Sequence, residues 1–161
     1  MATDDLTLEA LAPLLAPGAR LLGLDLGTKT IGIALSDESR AFASPLKTIK
    51  RGKFRDDAVE LLTICAENAV GALVLGMPLN MNGTEGPRAQ STRAFARNLG
   101  RLIELPLVFW DERLSTAAVN RVLIEEADAS RRTRGEVVDK MAAAYILQGA
   151  LDRLIVLDEA D

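Results

Sequence analysis

From residue 20 onward the chain alternates between short apolar runs and longer segments with helical spacing. Residues 20–27 (RLLGLDLG), 30–37 (TIGIALSD) and 41–49 (AFASPLKTI) read as three strands. The links between them, Gly27-Thr28-Lys29 and Glu38-Ser39-Arg40, have hairpin length. They are too short for a parallel crossover, so an antiparallel meander is expected. The period then changes. Residues 53–69 show helical spacing in Val59, Leu62 and Ala66, and 72–78 form a fully apolar strand. A turn-rich loop (79–88) leads into a helix (88–103) with Pro87 suited to its first turn, then a buried strand (105–112). Residues 115–127 read as a helix capped by Ser115, 128–135 as a charged loop, and 136–157 as a last helix with a break anticipated near its end. The order βββαβαβαα predicts an α/β fold. Its mixed five-stranded sheet joins a three-stranded antiparallel meander to parallel strands, and helices flank it. Residues 1–18, with the amphipathic piece LTLEALAPLLAPG, read as an extension outside the main fold; 19–157 form one domain and 158–161 a tail.

Composition narrows the chemistry. The 161 residues are 48% hydrophobic and 26% charged, values of a globular chain, and no apolar run approaches the roughly 20 residues of a membrane span. One cysteine, Cys65, excludes an internal disulfide and reads as a small core residue. The acidic N-terminus lacks a signal-peptide layout, so a cytoplasmic protein is expected. The absence of histidine has the largest consequence. It removes Ser-His-Asp and Cys-His devices and every His-ligated zinc site. Any catalysis must use carboxylates, Lys, Tyr, Ser or Thr, or an oxygen-ligated hard cation such as Mg²⁺ or Mn²⁺. The net charge of −4 does not advertise a nucleic-acid binder, which leaves local basic patches to decide.

Four acids stand where strands or helices end. Asp25 closes an otherwise apolar strand, Asp111-Glu112 end the last strand, and Asp139 is expected in the first turn of the last helix. Each has a local explanation: turn amides for Asp25, an ion pair with Arg113 for Asp111-Glu112, a helix N-terminus for Asp139. Sites in open α/β sheets form beyond the carboxyl ends of the parallel strands, where these acids converge. Ala142 and Ala143 would let the last helix approach the sheet closely. Three converging carboxylates would hold one or two Mg²⁺ or Mn²⁺ ions for phosphodiester hydrolysis. Lys29 and Lys140, each near a candidate ligand, would orient substrate phosphate.

LGLDLGTKTIGIALSD, VLGMPLNMNGTEGPRA, DERLSTAAV and VDKMAAAYIL together resemble the YqgF/RuvX family of bacterial RNase H-like nucleases. The similarity runs from about residue 20 to 151 with four motifs in order. It implies an RNase H-like fold and a cytoplasmic, Mg²⁺- or Mn²⁺-dependent nuclease. The family is associated with maturing the 5′ end of 16S rRNA and also described as Holliday-junction resolvases. Matched residue by residue, it implies that Asp25, Glu112 and Asp139 are the catalytic, metal-binding acids. Asp111 is a further metal-ligand candidate that could exchange with Glu112, because alternation points neighbours to opposite faces. It further implies that Asn80, Asn82, Gly83 and Thr84 lie beside the site and contact substrate backbone.

Basic residues supply the remaining candidates. Arg93, Arg97 and Arg101 share one helix face that Arg88 begins. Lys47, Lys50, Arg51, Lys53 and Arg55 crowd a strand-to-helix junction, and Arg131, Arg132 and Arg134 crowd the last loop. Such runs are commonly solvated faces; in a nuclease they contact backbone phosphates, and Arg93, Arg97 and Arg113 are taken as substrate contacts. Trp110 reads as a packing residue, with base stacking as the alternative. Two other functions compete. Asp-x-Gly-Thr also opens the phosphate loop of actin-like ATPases, but those need two lobes and this chain has one. A non-catalytic RNA-binding assembly or transcription factor is the other. Partners are therefore nucleic acid, either precursor 16S rRNA or branched DNA, and a ribosomal precursor; no membrane is implied, and the chain is expected to act as a monomer or weak homodimer.

Overall fold

The computed structural model describes residues 6–114 and 131–159, and in the last segment the side chains from residue 139 onward. Five strands form one sheet: β1 (Arg20–Leu26), β2 (Thr30–Ser36), β3 (Ala43–Lys50), β4 (Val70–Met77) and β5 (Leu107–Asp111). Their order is β3-β2-β1-β4-β5; β2 pairs antiparallel with β1 and β3, whereas β4 pairs parallel with β1 and β5. The expected meander and the expected parallel strands are both present, in the mixed sheet read from the chain.

Alternation along the strands divides the core in two. Leu22, Leu24, Ile31, Ile33, Leu73, Leu75 and Leu107 face α2 (Phe54–Glu67) and α3 (Pro87–Gly100). The opposite positions, including Leu21, Ala34, Ala72, Val74 and Val108, face the long helix α4 (Arg131–Glu159) through Ala143, Ile146, Leu147, Ala150 and Leu151. On α2 the buried stripe is Ala58, Leu61, Ile64 and Cys65; of the residues whose spacing marked the helix, Leu62 packs beside this stripe, whereas Val59 is 57% exposed and Ala66 is exposed as well. Burial pushes the Cys65 thiol up to about 11, as suits an inert core cysteine.

Two other expectations change at the ends of the chain. Residues 131–135 are helical rather than loop, and α4 runs unbroken to Glu159, so Asp139 lies in its third turn rather than its first. The N-terminal segment packs onto the main fold instead of lying outside it. α1 (Leu8–Leu11), capped by the Thr7 hydroxyl, buries Leu8 and Leu11 among the α4-side residues. Apolar positions at i and i+3 give even this single turn a face to bury. The helix expected over 115–127, with Ser115 as its cap, lies outside the described residues. Among the described residues, no helix is long and apolar enough to cross a membrane.

Close contact between α4 and the sheet depends on absent side chains. A methyl group on Gly32 of β2 would fall inside the Asp139 carbonyl, and one on Gly23 of β1 would lie 2.7 Å from Leu147 Cβ. On Gly76 of β4 it would lie 2.5 Å from Ile146 Cδ1. Ala142 and Ala143 are buried on the helix side, as their small size implied. Because the clash at Gly32 is with backbone, no side-chain rotation relieves it. Gly32→Ala is therefore expected to destabilise the fold by about 2–3 kcal/mol. Gly52→Ala, whose methyl would touch only Asp57 Oδ1 at 4.0 Å, should stay within ~0.5 kcal/mol of wild type. Urea unfolding midpoints check this, and equal stability of the two variants would contradict the close packing.

Candidate metal and nucleic-acid site

Asp25 stands on the α4 face of β1, two positions beyond Gly23, and is only 3% exposed. A carboxylate at that depth needs compensation. Its neighbours across the sheet are glycines. Gly32 pairs with it in β2, and Gly76 lies one step beyond the Leu24–Leu75 pair in β4. The absent side chains open the space above Asp25, and the other acids enter there. The backbone of Asp139 sits on Gly32, and the Thr30 hydroxyl of β2 donates a hydrogen bond to Asp139 Oδ2. The Glu112 side chain lies over Gly76, with Cγ and Oε1 at 3.1 and 3.2 Å from where a β-carbon would stand. Three elements thus bring three carboxylates to one end of the sheet, on one face.

Asp111 goes elsewhere. Phe109 packs with the α2–α3 side and Trp110 with the α4 side, so alternation turns Asp111 away from α4. Its Oδ2 accepts from Arg113 Nη2 at 2.7 Å and its Oδ1 from Arg113 Nε at 3.0 Å. The Arg113 guanidinium hydrogen-bonded to it holds the Asp111 carboxyl below the usual carboxylate range. Arg113 also donates to the Met81 carbonyl at 3.2 Å, which ties the 79–88 loop to the end of β5. Trp110 lies against Gly149 of α4, a packing role.

The other sequence candidates fall into two groups. Asn80, Asn82 and Thr84 bond mainly to one another: Asn80 Nδ2 donates to Thr84 Oγ1 at 3.0 Å, and Thr84 Oγ1 to Asn82 Oδ1 at 2.6 Å. Gly83 completes this turn at φ +87°, where glycine is favoured. These side chains shape the loop. Arg93 is paired with Glu85 at 2.7 Å and stacks on Phe109 at 5.2 Å. Lys29 and Arg97 are exposed, and Lys140 is half-buried beside Asp139. Gly27-Thr28-Lys29 form the tight hairpin expected, with the Gly27 amide donating to the Thr30 carbonyl at 2.8 Å.

Residues 19–153 match the family model described as "RuvX: Holliday junction resolvase". The chain belongs to the RuvX family. Among its RuvX relatives, a protein of Methylocella silvestris named "Putative pre-16S rRNA nuclease" is 58% identical over 154 residues, covering 96% of this chain and 95% of that protein. One of the same name from Cereibacter sphaeroides is 61% identical over 146 residues, covering 91% and 90%. Solved structures show the fold. The Thermus thermophilus RuvC in complex with a Holliday junction substrate superposes with a TM-score of 0.53 at 11% identity, over 85% of this chain and 96% of that one. The yeast mitochondrial Holliday junction resolvase Ydc2 gives 0.52 at 14% identity, over 94% and 86%. The RuvX chain therefore has the RNase H-like architecture that the resemblance implied, with the mixed sheet expected from the order of elements.

Sequence reasoning missed Thr30 and the glycines that frame Asp25. A signal was present: Gly23 and Asp25 share one strand face, and Gly32 is the position that a Gly27–Lys29 hairpin brings opposite Asp25. The Asp111–Arg113 pair makes a pH prediction. Its folded-state carboxyl value lies below the unfolded one, so its contribution is complete above the ordinary carboxylate range and fades as pH falls through the folded value. Carboxyl-carbon NMR should find Asp111 titrating below 3.8, its ordinary value, and moving up toward it in Arg113→Gln. An unmoved midpoint would contradict the pair.

Proposed function

We propose that this RuvX-family nuclease hydrolyses phosphodiester bonds at the point where Asp25, Glu112 and Asp139 converge. On this reading it acts in the cytoplasm on the 5′ end of precursor 16S rRNA, as a monomer or weak homodimer working on a ribosomal precursor. The convergence of three carboxylates over Gly32 and Gly76 is the observation that carries the reading. The substrate class follows the names of relatives 58–61% identical over most of their length.

The donor set fits a hard divalent cation. All three groups are carboxylates and the chain has no histidine. Among the described residues no three acids form a ready-made metal-binding cluster; Mg²⁺ is commonly held by one or two carboxylates, with water and substrate phosphate completing the shell. Asp25, Glu112 and Asp139 would hold it. When bound, such an ion lowers the pKa of water and neutralises charge on the phosphodiester. The chain's own contribution is placement. β1 holds Asp25 rigidly, Thr30 orients Asp139, and the glycines let α4 and the Glu112 side chain come down over the sheet end. Arg113 keeps Asp111 out of the site and anchors the neighbouring loop.

A cleavage assay with Mn²⁺ tests this, offering a 5′-extended 16S precursor and a four-way DNA junction to wild type and variants. Charge stabilisation of several kcal/mol corresponds to roughly 100-fold or more in rate, the loss expected for Asp25→Asn, Glu112→Gln and Asp139→Asn. Asp111→Asn should remain within about tenfold of wild type. Preferential cutting of the precursor supports the substrate assignment, and preferential cutting of the junction reverses it. Equal cleavage by wild type and Asp25→Asn would remove the site. No cleavage of either substrate would make the chain a binding factor.

A further inference from the structure

Around the sheet edge from Asp25, on the α3 side, lies a small notch of about 40 Å³ lined by Leu26, Gly27, Thr28, Arg51, Arg88, Ser91 and Thr92. It exceeds the ~10–15 Å³ that one water requires, yet is far too small for a base and sugar. Two guanidiniums share it, and the hydroxyl-bearing Thr28 and Ser91 line it as well. Both arginines are fastened to the hairpin that follows Asp25. Arg51 Nη1 donates to the Gly27 carbonyl at 2.7 Å, and Arg88 Nη2 donates to the Leu26 carbonyl at 3.4 Å. Arg51 is further held over the Phe95 ring at 5.5 Å, and Phe95 is itself braced edge-on by Phe54.

What sets this pair apart is that two arginines without a carboxylate partner line one notch. Arg20, Arg93, Arg113 and Arg153 each have a carboxylate partner. Among the described residues, no carboxylate pairs with Arg51 or Arg88. Two like charges held in one notch by carbonyls and an aromatic face, with no counter-ion among the described residues, are placed for an incoming anion. Each keeps further N–H donors beyond the one used on the hairpin, and a guanidinium fork matches phosphate oxygens. The notch also opens near the N-terminal end of α3, whose backbone dipole has the same sign.

We infer that this notch binds a backbone phosphate of the substrate strand, beside the phosphodiester that is cut. The inference rests on the nuclease reading. Three of its lining residues, Leu26, Gly27 and Thr28, follow Asp25 by one to three positions, within ~10 Å along an extended chain. That is a few nucleotides at ~3.4 Å of rise each. Bound there, a phosphate would fix the strand's register over the three acids without reading its sequence. Arg51 and Arg88 are positioning residues in this scheme, because they touch a phosphate that does not react.

Two measurements decide it. In the first, inorganic phosphate is titrated into the wild-type protein while the arginine side-chain Nε–H signals are followed. Arg51 and Arg88 should shift together and saturate, Arg97 should not, and Arg88→Gln should abolish the Arg51 shift. Shifts spread over all arginines would mean general screening and overturn the site. In the second, wild type and Arg88→Gln cut substrates carrying a single neutral methylphosphonate at successive positions around the cleavage point. At one position, neutralising the phosphate should raise KM about as much as Arg88→Gln does, roughly 10-fold for one charged contact. The two losses should not add, and kcat should hold. Full additivity at every position would overturn the proposal. Arg88 is exposed, so the variant is expected to fold, and circular dichroism verifies it. If wild type cuts no nucleic acid, the nuclease reading falls and the strand assignment with it. Selective shifts at Arg51 and Arg88 would then still mark a phosphate site.

Discussion

The approach of α4 to the sheet governs the rest of this molecule. A helix normally rides on the side chains of the strands beneath it, at a spacing those side chains set. Here Gly23, Gly32 and Gly76 remove three of them along one path across β1, β2 and β4, and Ala142 and Ala143 thin the helix side. The helix sinks far enough for the Asp139 backbone to rest on Gly32. Without that contact, Asp139 would stand away from Asp25, and the sheet end would hold one buried carboxylate with no partners arriving from above.

The same packing separates acids that look equivalent along the chain. Period-two alternation sends Asp111 and Glu112 to opposite faces of the sheet end. One becomes half of an ion pair that steadies a loop, and the other lies over Gly76. Arginines divide similarly. Arg93 and Arg113 are committed to carboxylates, whereas among the described residues Arg51 and Arg88 hydrogen-bond carbonyls of the hairpin that follows Asp25 and no carboxylate. Negative charge therefore gathers on the α4 side of that hairpin and positive charge on its α3 side. A phosphodiester strand crossing the hairpin would meet both.

Much of this was legible beforehand because the strands are short, apolar and sharply punctuated. Hairpin-length links dictate antiparallel neighbours, and helix–strand alternation dictates parallel ones, so the mixed sheet was legible, whereas the order β3-β2-β1-β4-β5 came from the structure. Asp25 stood out as the one acid in its strand, at the far end from Arg20. The misreadings share a cause. The helix α2 was legible but its buried face was not, because Val59, Leu62 and Ala66 fit a helical period as well as the buried Ala58, Leu61 and Cys65 do; contact with the sheet distinguishes them. The start of α4 was placed too late because charged residues 131–135 look like loop, although a helix anchored by its later turns tolerates them. Leu8 and Leu11 form too short a segment to reveal that they are buried, since that depends on α4 being beside them. The Arg51–Arg88 notch was hidden within runs of basic residues, where sequence cannot tell a paired arginine from an unpaired one.

The central claim is that Asp25, Glu112 and Asp139 form one cation site because the glycine-faced packing of α4 gathers them. Crystals soaked in Mn²⁺ and measured at the manganese edge test it most directly, as the anomalous signal marks the metal without reference to activity. The expected result is a peak in contact with Asp25 and at least one of Glu112 and Asp139, lost in Asp25→Asn crystals. A peak at Asp111, or Mn²⁺ bound only elsewhere on the surface, would contradict it.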